Sequence, residues 1–160
     1  MVTEKIKFRL ELYATMWHNP PSAEIKLNDI SFFDSQVTGT EDNPTVIEFE
    51  TELTEGTEYV LAIHRYAKKT GDTVVDGKGN ILKDQILHIK NIEIDEINIG
   101  ALVYEGIYTP TYPEPWATQQ RELGNELPAS FKNADSLGHN GVWKFHCASP
   151  FYMWLLENLY

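Results

Sequence analysis

Apolar and charged residues alternate strictly near the start of the chain. Every second residue from Ile6 to Leu12 is apolar, and the residues between them are charged. This period of two is typical of a β-strand with one buried and one solvated face. The tract at residues 17–22 holds two prolines, which remove backbone donors and end the strand. Residues 24–33 resume an extended pattern, so the sequence predicts a β-sheet from the outset.

Three further segments share this period. Residues 46–53 and 58–66 are joined by the polar turn at residues 54–57 (TEGT), and this arrangement predicts a β-hairpin. Residues 85–99 are rich in β-branched side chains and exceed an ordinary strand of roughly five to six residues. We expect two strands here, or one strand that bends between sheets near Asn91 or Asp95.

The composition changes after Gly100. Prolines and aromatic rings are dense in residues 104–116, which favours an ordered, irregular loop. The elements predicted beyond it are a short helix at residues 117–123, a loop at 131–140, a strand at 142–146, and a terminal helix at 151–159 that begins after Ser149 and Pro150. The apolar residues of the terminal helix cover more than one stripe, so it must be buried against the sheet or against another chain.

Short antiparallel strands without alternating helices predict an all-β protein. We expect an antiparallel β-sandwich of the jelly-roll type, with an irregular C-terminal section rich in aromatic residues and proline, and a short terminal helix. The length of 160 residues suits one domain. The change in composition divides it into a core at about residues 1–105 and a C-terminal extension at about residues 106–160.

The chain is acidic, with 24 acidic and 13 basic residues and a net charge of −11. Because this charge repels phosphate groups and anionic lipids, we expect no nucleic acid and no membrane among its partners. The first residues are charged where a signal peptide is apolar, and no run approaches the roughly 18 apolar residues of a membrane span. We expect a soluble protein that stays in the cytoplasm unless it leaves within a larger particle. The single cysteine, Cys147, excludes an internal disulfide and is expected to be a small buried hydrophobe.

Oxygen-bearing side chains recur at every fourth position of one glycine-containing loop, at Asp72, Asp76, Asn80 and Asp84. Calcium takes roughly six to eight oxygen ligands from flexible loops, so this is the candidate metal site and calcium the candidate cofactor. The alternative is a solvated hairpin tip, in which residues 76–80 supply the positive φ angles of a tight turn and the acidic groups keep a sheet edge from pairing. The sequence leaves both interpretations open.

Aromatic residues in predicted loops form the second candidate site, because sugar rings stack their apolar faces on such rings. These residues are Trp17, Tyr104, Tyr108, Tyr112 and Trp116. The alternative is that the rings pack on one another and hold the loops in place, which is common for aromatic residues in long loops.

An enzymatic function would take the form of glycoside hydrolysis, which needs two carboxylates roughly 5 to 9 Å apart. Acidic residues are plentiful on the predicted strand at residues 93–96 and in the later loops, but none is singled out by its surroundings. The five histidines are scattered, without HExxH, CxxC, Gly-x-Ser-x-Gly or phosphate-loop spacing. We therefore expect no catalytic residues and a protein that is not an enzyme.

The segment at about residues 45–99 resembles the calcium-dependent xylan-binding carbohydrate-binding modules. The resemblance rests on residues 59–63 (YVLAI), the acidic loop, and the segments DQILHI and IEID at residues 84–95, which match a strand, a metal loop and an aspartate that leads the last long strand. It implies a β-sandwich and a calcium ligand at Asp84. The chain departs from the family at residues 64–69, where HRYAKK replaces a stretch rich in Asn and Asp.

The whole chain also resembles small proteins of tailed bacteriophages, especially cyanophages, in which such sandwiches decorate capsids, necks or tails. This resemblance implies a non-catalytic structural or binding protein located in the virion. Its expected partners are other virion proteins, further copies of itself, or a host-surface glycan. The alternative function is a calcium-dependent glycan-binding module, and a hydrolase is the third hypothesis.

Overall fold

Two antiparallel β-sheets make up most of the structure, a computed structural model that describes residues 2–132 and 134–159. With strands numbered along the chain, the first sheet contains β1 (Thr3–Thr15), β4 (Thr45–Thr54), β8 (Ile86–Ile94), β9 (Ile97–Asn98) and β11 (Ser136–Leu137). The second contains β2 (Ser22–Leu27), β3 (Ile30–Gln36), β5 (Glu58–Tyr66), β10 (Ile107–Pro110) and β12 (Gly141–Ala148). Strand β1 lies between β4 and β8, and β5 lies between β2 and β12. The prediction of an all-β antiparallel sandwich is confirmed.

The remaining elements are short. They are the hairpin of β6 (Val74–Val75) and β7 (Ile81–Lys83), the helices α1 (Trp116–Glu122) and α2 (Phe151–Leu159), and the 3-10 helices Thr70–Asp72 and Gly100–Glu105. None of the helices in the described part of the chain is long and apolar enough to cross a membrane.

The inner faces of the two sheets share one hydrophobic core. Phe8 and Leu10 of β1 and Leu61 and Ile63 of β5 are all fully buried within the same cluster. Their positions follow the predicted alternation, since a pleated strand turns successive side chains to opposite faces. Cys147 of β12 also lies in this core, which confirms its predicted burial.

The prediction of a hairpin between residues 46–53 and 58–66 is wrong. Strand β4 pairs with β1 in the first sheet, whereas β5 pairs with β2 and β12 in the second. The turn between them forms locally, with the N–H of Thr57 donating to the carbonyl of Thr54 at 3.2 Å. However, the N–H of Glu55 donates to Val2 and that of Gly56 donates to Ser149, so this turn is a corner between the sheets.

The other two extended segments are both strand-forming, but the first one reverses direction where the sequence predicted a continuous extended stretch. Residues 22–36 form the β2–β3 hairpin, with Asn28 at a φ of 52° in its turn. The long apolar segment forms two strands, β8 and β9, joined by a tight turn. Asp95 and Glu96 both have positive φ in that turn, at 52° and 64°, which places the chain reversal at one of the two predicted positions.

The chain after residue 105 completes the second sheet. Strand β12 lies between β10 and β5, and its Trp143 and Phe145 are buried while Lys144 is exposed, as predicted. The two predicted helices are present as α1 and α2. The boundary expected near residue 105 therefore does not coincide with an edge of the sandwich.

One end of the sandwich carries most of the irregular chain. The registers place the C-terminal ends of β1, β3, β5 and β10 beside the N-terminal ends of β4, β2, β8 and β12. We call this the loop end, and it comprises residues 16–21, 37–44, 67–85, 111–132, 134–135 and 138–140. The candidate residues singled out in the sequence fall mostly here.

Candidate functional site

A partly buried ion pair lies in the loop end. The Nζ atom of Lys68 donates to Oδ1 of Asp84 at 2.8 Å and to the carbonyl oxygen of Gly138 at 2.5 Å. The two charged side chains are only 11% and 17% exposed. Lys68 follows β5, Asp84 precedes β8 and Gly138 follows β11, so this one ammonium group joins three segments.

The same carboxylate oxygen of Asp84 also accepts two uncharged donors. These are the hydroxyl of Thr73 at 2.7 Å and the N–H of Gln85 at 2.8 Å. Burial works to raise the pKa of Asp84, but the hydrogen bonds from Lys68, Thr73 and Gln85 outweigh it and hold the pKa below its usual value. Asp84 is therefore an anion at neutral pH.

Asp72 is the second buried carboxylate, with an exposure of 2%. Its Oδ2 accepts the N–H of Lys69 at 2.8 Å, which closes the 3-10 turn. Its Oδ1 lies 3.4 Å from Nδ2 of Asn19 and 3.6 Å from Nδ1 of His18. Asp72 thus ties the loop at residues 67–85 to the loop at residues 16–21.

Arg65 lies beneath these loops and is fully buried. Its guanidinium donates to the carbonyl oxygen of Leu137, and to the backbone oxygen and Oε1 of Gln85 at 2.6 and 2.7 Å. Burial lowers the pKa of Arg65 to about 10, so the group stays cationic at neutral pH. It holds the start of β8 and the end of β11 to β5.

Asp76 and Asn80 lie at the tip of the β6–β7 hairpin, as in the alternative interpretation of this loop. Oδ1 of Asp76 accepts the N–H groups of Lys78 and Asn80 at 2.8 and 2.9 Å, and Gly79 has a φ of 84°. These hydrogen bonds lower the pKa of Asp76, with those from Asn80 contributing most. The side chain stabilises a tight turn.

The four predicted calcium ligands do not converge on one point. In residues 2–132 and 134–159, no three His, Cys, Asp or Glu side chains lie close enough to hold a metal ion together. Asp84 already has a cation at 2.8 Å, and Asp76 is engaged by its own turn. As they are placed in the structure, the four residues therefore do not fit a calcium ion, which takes roughly six to eight oxygen ligands.

Two of the predicted aromatic residues come together at the loop end. The rings of Tyr112 and Trp116 have centroids 6.1 Å apart, and both lie against His139, at 5.0 and 5.6 Å. The hydroxyl of Tyr112 donates to the carbonyl oxygen of Pro128 at 2.5 Å, and Trp116 is 38% exposed. We call Tyr112, Trp116 and His139 the aromatic cluster.

The aromatic cluster adjoins the ion pair along the chain. The Gly138 carbonyl that accepts from Lys68 directly precedes His139, and the side chain of Asn140 bonds both the N–H and the carbonyl of Lys68, at 2.8 and 3.1 Å. Burial lowers the pKa of His139 first of all, and the charges of Lys68 and Arg65 lower it further. The imidazole is therefore neutral at neutral pH.

The other three aromatic candidates lie outside the aromatic cluster. Trp17 is 45% exposed, beside His18, and Nζ of Lys83 lies 5.2 Å from its ring centroid. Tyr104 belongs to the second 3-10 helix and is exposed. Tyr108 is 3% exposed in β10, where burial raises its pKa to about 12. Because its ring is enclosed by the core, Tyr108 cannot stack on a ligand.

Sequence reasoning missed the two cations of the site. Arg65 has the same phase as Leu61 and Ile63 on β5, so the alternation already indicated an inward-facing arginine. Lys68 gives no such signal, because it lies in a loop and its partners are 16 and 70 positions away.

No protein-family model matches the chain, and no curated protein matches it. Two solved structures are similar to it. One is the selenomethionine form of vCBM60, reported with a circular permutation as an evolutionary link between two families of calcium-dependent carbohydrate-binding modules. It aligns with a TM-score of 0.49 and 11% identity, over 88% of this chain and 89% of that chain. The other is vCBM60 in complex with galactobiose, with a TM-score of 0.47 and 11% identity over 87% and 96% of the two chains. At this identity the likeness assigns no residue of this chain.

Proposed function

We propose that the protein is a non-catalytic carbohydrate-binding module whose ligand lies across the aromatic cluster at the loop end. The observation that carries this proposal is a pair of partly exposed rings, Tyr112 and Trp116, fixed in place beside buried polar groups. The hydroxyl bond to Pro128 and the contacts with His139 restrain both rings. A restrained ring loses little conformational entropy when a sugar stacks on it.

Polar atoms next to the rings are available to orient a sugar. Within the described residues, Oδ2 of Asp84 and the ring nitrogens of His139 make no hydrogen bond, and the ammonium group of Lys68 uses two of its three donors. A few polar groups beside an apolar surface are the usual composition of a small-molecule site.

The charge of the protein narrows the class of glycan. A net charge of −11 creates a negative potential that repels uronic acids and sulfated sugars. The two cations of the loop end do not reverse this negative potential, because Lys68 is paired with Asp84 and Arg65 is buried. We therefore propose a neutral glycan.

A glycan array followed by calorimetry on the neutral glycans that bind tests this function. Trp116→Ala is expected to weaken binding about fivefold, since stacking contributes about 1 kcal/mol and 1.4 kcal/mol corresponds to a factor of ten. Tyr152→Ala is the matched control, because Tyr152 is an exposed aromatic residue on α2. Equal affinities of the two variants, or an array without a hit, would refute the proposal. Shortening of the bound glycan would identify a hydrolase instead.

An assembly role is the second candidate, and one observation favours it. Tyr152, Met153 and Leu156 of α2 are 50%, 60% and 63% exposed, although Phe151 and Leu155 of the same helix are buried. Exposed apolar faces of this kind mark contacts between chains. A virion protein would use this face to dock on its neighbours, and light scattering of the purified chain, alone and with the variant Leu156→Lys, measures whether it joins copies of the chain.

A further inference from the structure

The cation that organises the loop end is part of the chain itself. Lys68 connects the segment after β5, the segment before β8 and the segment after β11 through its bonds to Asp84 and Gly138. Its side chain is 11% exposed, and Asn140 fixes the backbone at the same residue through two hydrogen bonds. The position of the ammonium group is therefore determined by several contacts.

The charged side chains in the interior of the loop end already have equal numbers of positive and negative charges. Two carboxylates, Asp72 and Asp84, are accompanied by two cations, Arg65 and Lys68. A divalent ion next to Asp84 would add two positive charges close to an ammonium group that lies 2.8 Å from the same oxygen. Like charges in a poorly solvated site repel strongly, so a metal ion and Lys68 exclude each other there.

The uncharged hydrogen-bond donors around Asp84 also argue against a metal ion at this carboxylate. The hydroxyl of Thr73 and the N–H of Gln85 both donate to Oδ1, which gives this oxygen three donors. A metal bound through Oδ1 would displace most of these bonds, and a metal bound through Oδ2 of the same carboxylate would still lie close to the ammonium group of Lys68. We propose that Lys68 takes the place of a divalent cation at the loop end, so that the loops are folded and held in place without metal.

The proposal is tested by the thermal stability of the full chain in calcium chloride and in chelator, together with calorimetric titration of calcium into chelator-treated protein. We expect the same melting temperature in both solutions and no heat of binding, since a metal that binds only the folded state raises the melting temperature. Saturable calcium binding, or a melting temperature that rises with calcium, would overturn the proposal.

A pair of variants tests the role of Lys68 itself. Lys68→Met keeps most of the side-chain volume and removes the charge, so it is expected to lower the melting temperature in both solutions. Lys78→Met is the control, because Lys78 is an exposed lysine at the hairpin tip, and it is expected to melt like the unmodified chain. If the two variants melt alike, Lys68 does not organise the loops. Should Lys68→Met fail to fold, the calcium titration of the unmodified chain still decides the proposal. None of these measurements uses a glycan, so they stand apart from the test of carbohydrate binding.

Discussion

At the level of single residues, the backbone packs closely against the buried side chain of Trp143. Its side chain is fully buried in β12, and its ring stacks on that of Phe145 with centroids 6.1 Å apart. The backbone of Gly106 lies directly against the indole. A Cβ atom at this position would be 2.3 Å from the ring, which is far inside van der Waals contact. Glycine is required here by the close approach of the backbone to a large side chain.

Gly106→Ala is expected to lower the free energy of unfolding by about 1–3 kcal/mol, the usual cost of overpacking a core. Urea denaturation followed by tryptophan fluorescence measures the change. Gly77→Ala is the control, because nothing lies within 4 Å of the Cβ built at Gly77. Equal stabilities of the two variants would show that the backbone around residue 106 moves without cost.

At the scale of the elements, helix α2 is attached to the first sheet by one carboxylate. Oε1 of Glu4, at the start of β1, accepts the hydroxyl of Ser149 at 2.8 Å and the N–H of Phe151 at 2.7 Å. The first N–H groups of a helix have no partner within it, and an anion there also interacts favourably with the helix dipole. The prediction that Ser149 caps this helix is wrong, because its hydroxyl donates to Glu4, and it is the carboxylate of Glu4 that accepts the first helical N–H.

Glu4→Ala is expected to lower the free energy of unfolding by about 1 kcal/mol, since it removes a cap from a helix whose buried face covers β12. Glu52→Ala is a suitable control, because Glu52 is an exposed glutamate on β4. Urea denaturation compares the two. If the control costs as much as Glu4→Ala, the loss would come from net charge and not from the cap.

For the protein as a whole, two partly buried histidines make stability depend on pH. His88 stacks on Tyr13 with ring centroids 4.5 Å apart, and its two ring nitrogens lie 2.8 and 2.9 Å from the hydroxyls of Thr15 and Ser136. Burial lowers the pKa of His88, and the acidic groups Asp135 and Glu41 only partly offset this. The pKa of His139 is lowered as well.

A lowered pKa in the folded state means that the unfolded chain takes up these protons first. Stability is therefore expected to be full above the ordinary histidine pKa of 6.5 and to fall as the pH drops below it toward the folded pKa. Urea denaturation from about pH 7.5 to about pH 5.5 measures this slope. In His88→Gln the slope should be smaller, whereas His146→Gln, at an exposed position on β12, should keep it. An unchanged slope in His88→Gln would contradict the assignment.

The alternation of apolar and polar residues was enough to predict which side chains of these strands face inward. The alternation of residues 6–12 predicted the buried face of β1, and Trp143 and Phe145 were expected on the face opposite to Lys144. A break near Asn91 or Asp95 and the helix at residues 151–159 were also predicted. These features are local, because the pleat of a strand and the period of a helix depend on residues a few positions apart.

Strand pairing and the contacts between loop residues could be seen only in the folded protein. The turn at residues 54–57 has the composition of a hairpin, yet contacts with Val2 and Ser149 make it a corner between the sheets. Asp84 was found from sequence, but its partner Lys68 was not. Tyr112 and Trp116 were candidates, whereas their neighbour His139 was not. Such pairs are joined by loops of many residues, so their proximity follows from the register of both sheets and not from spacing along the chain.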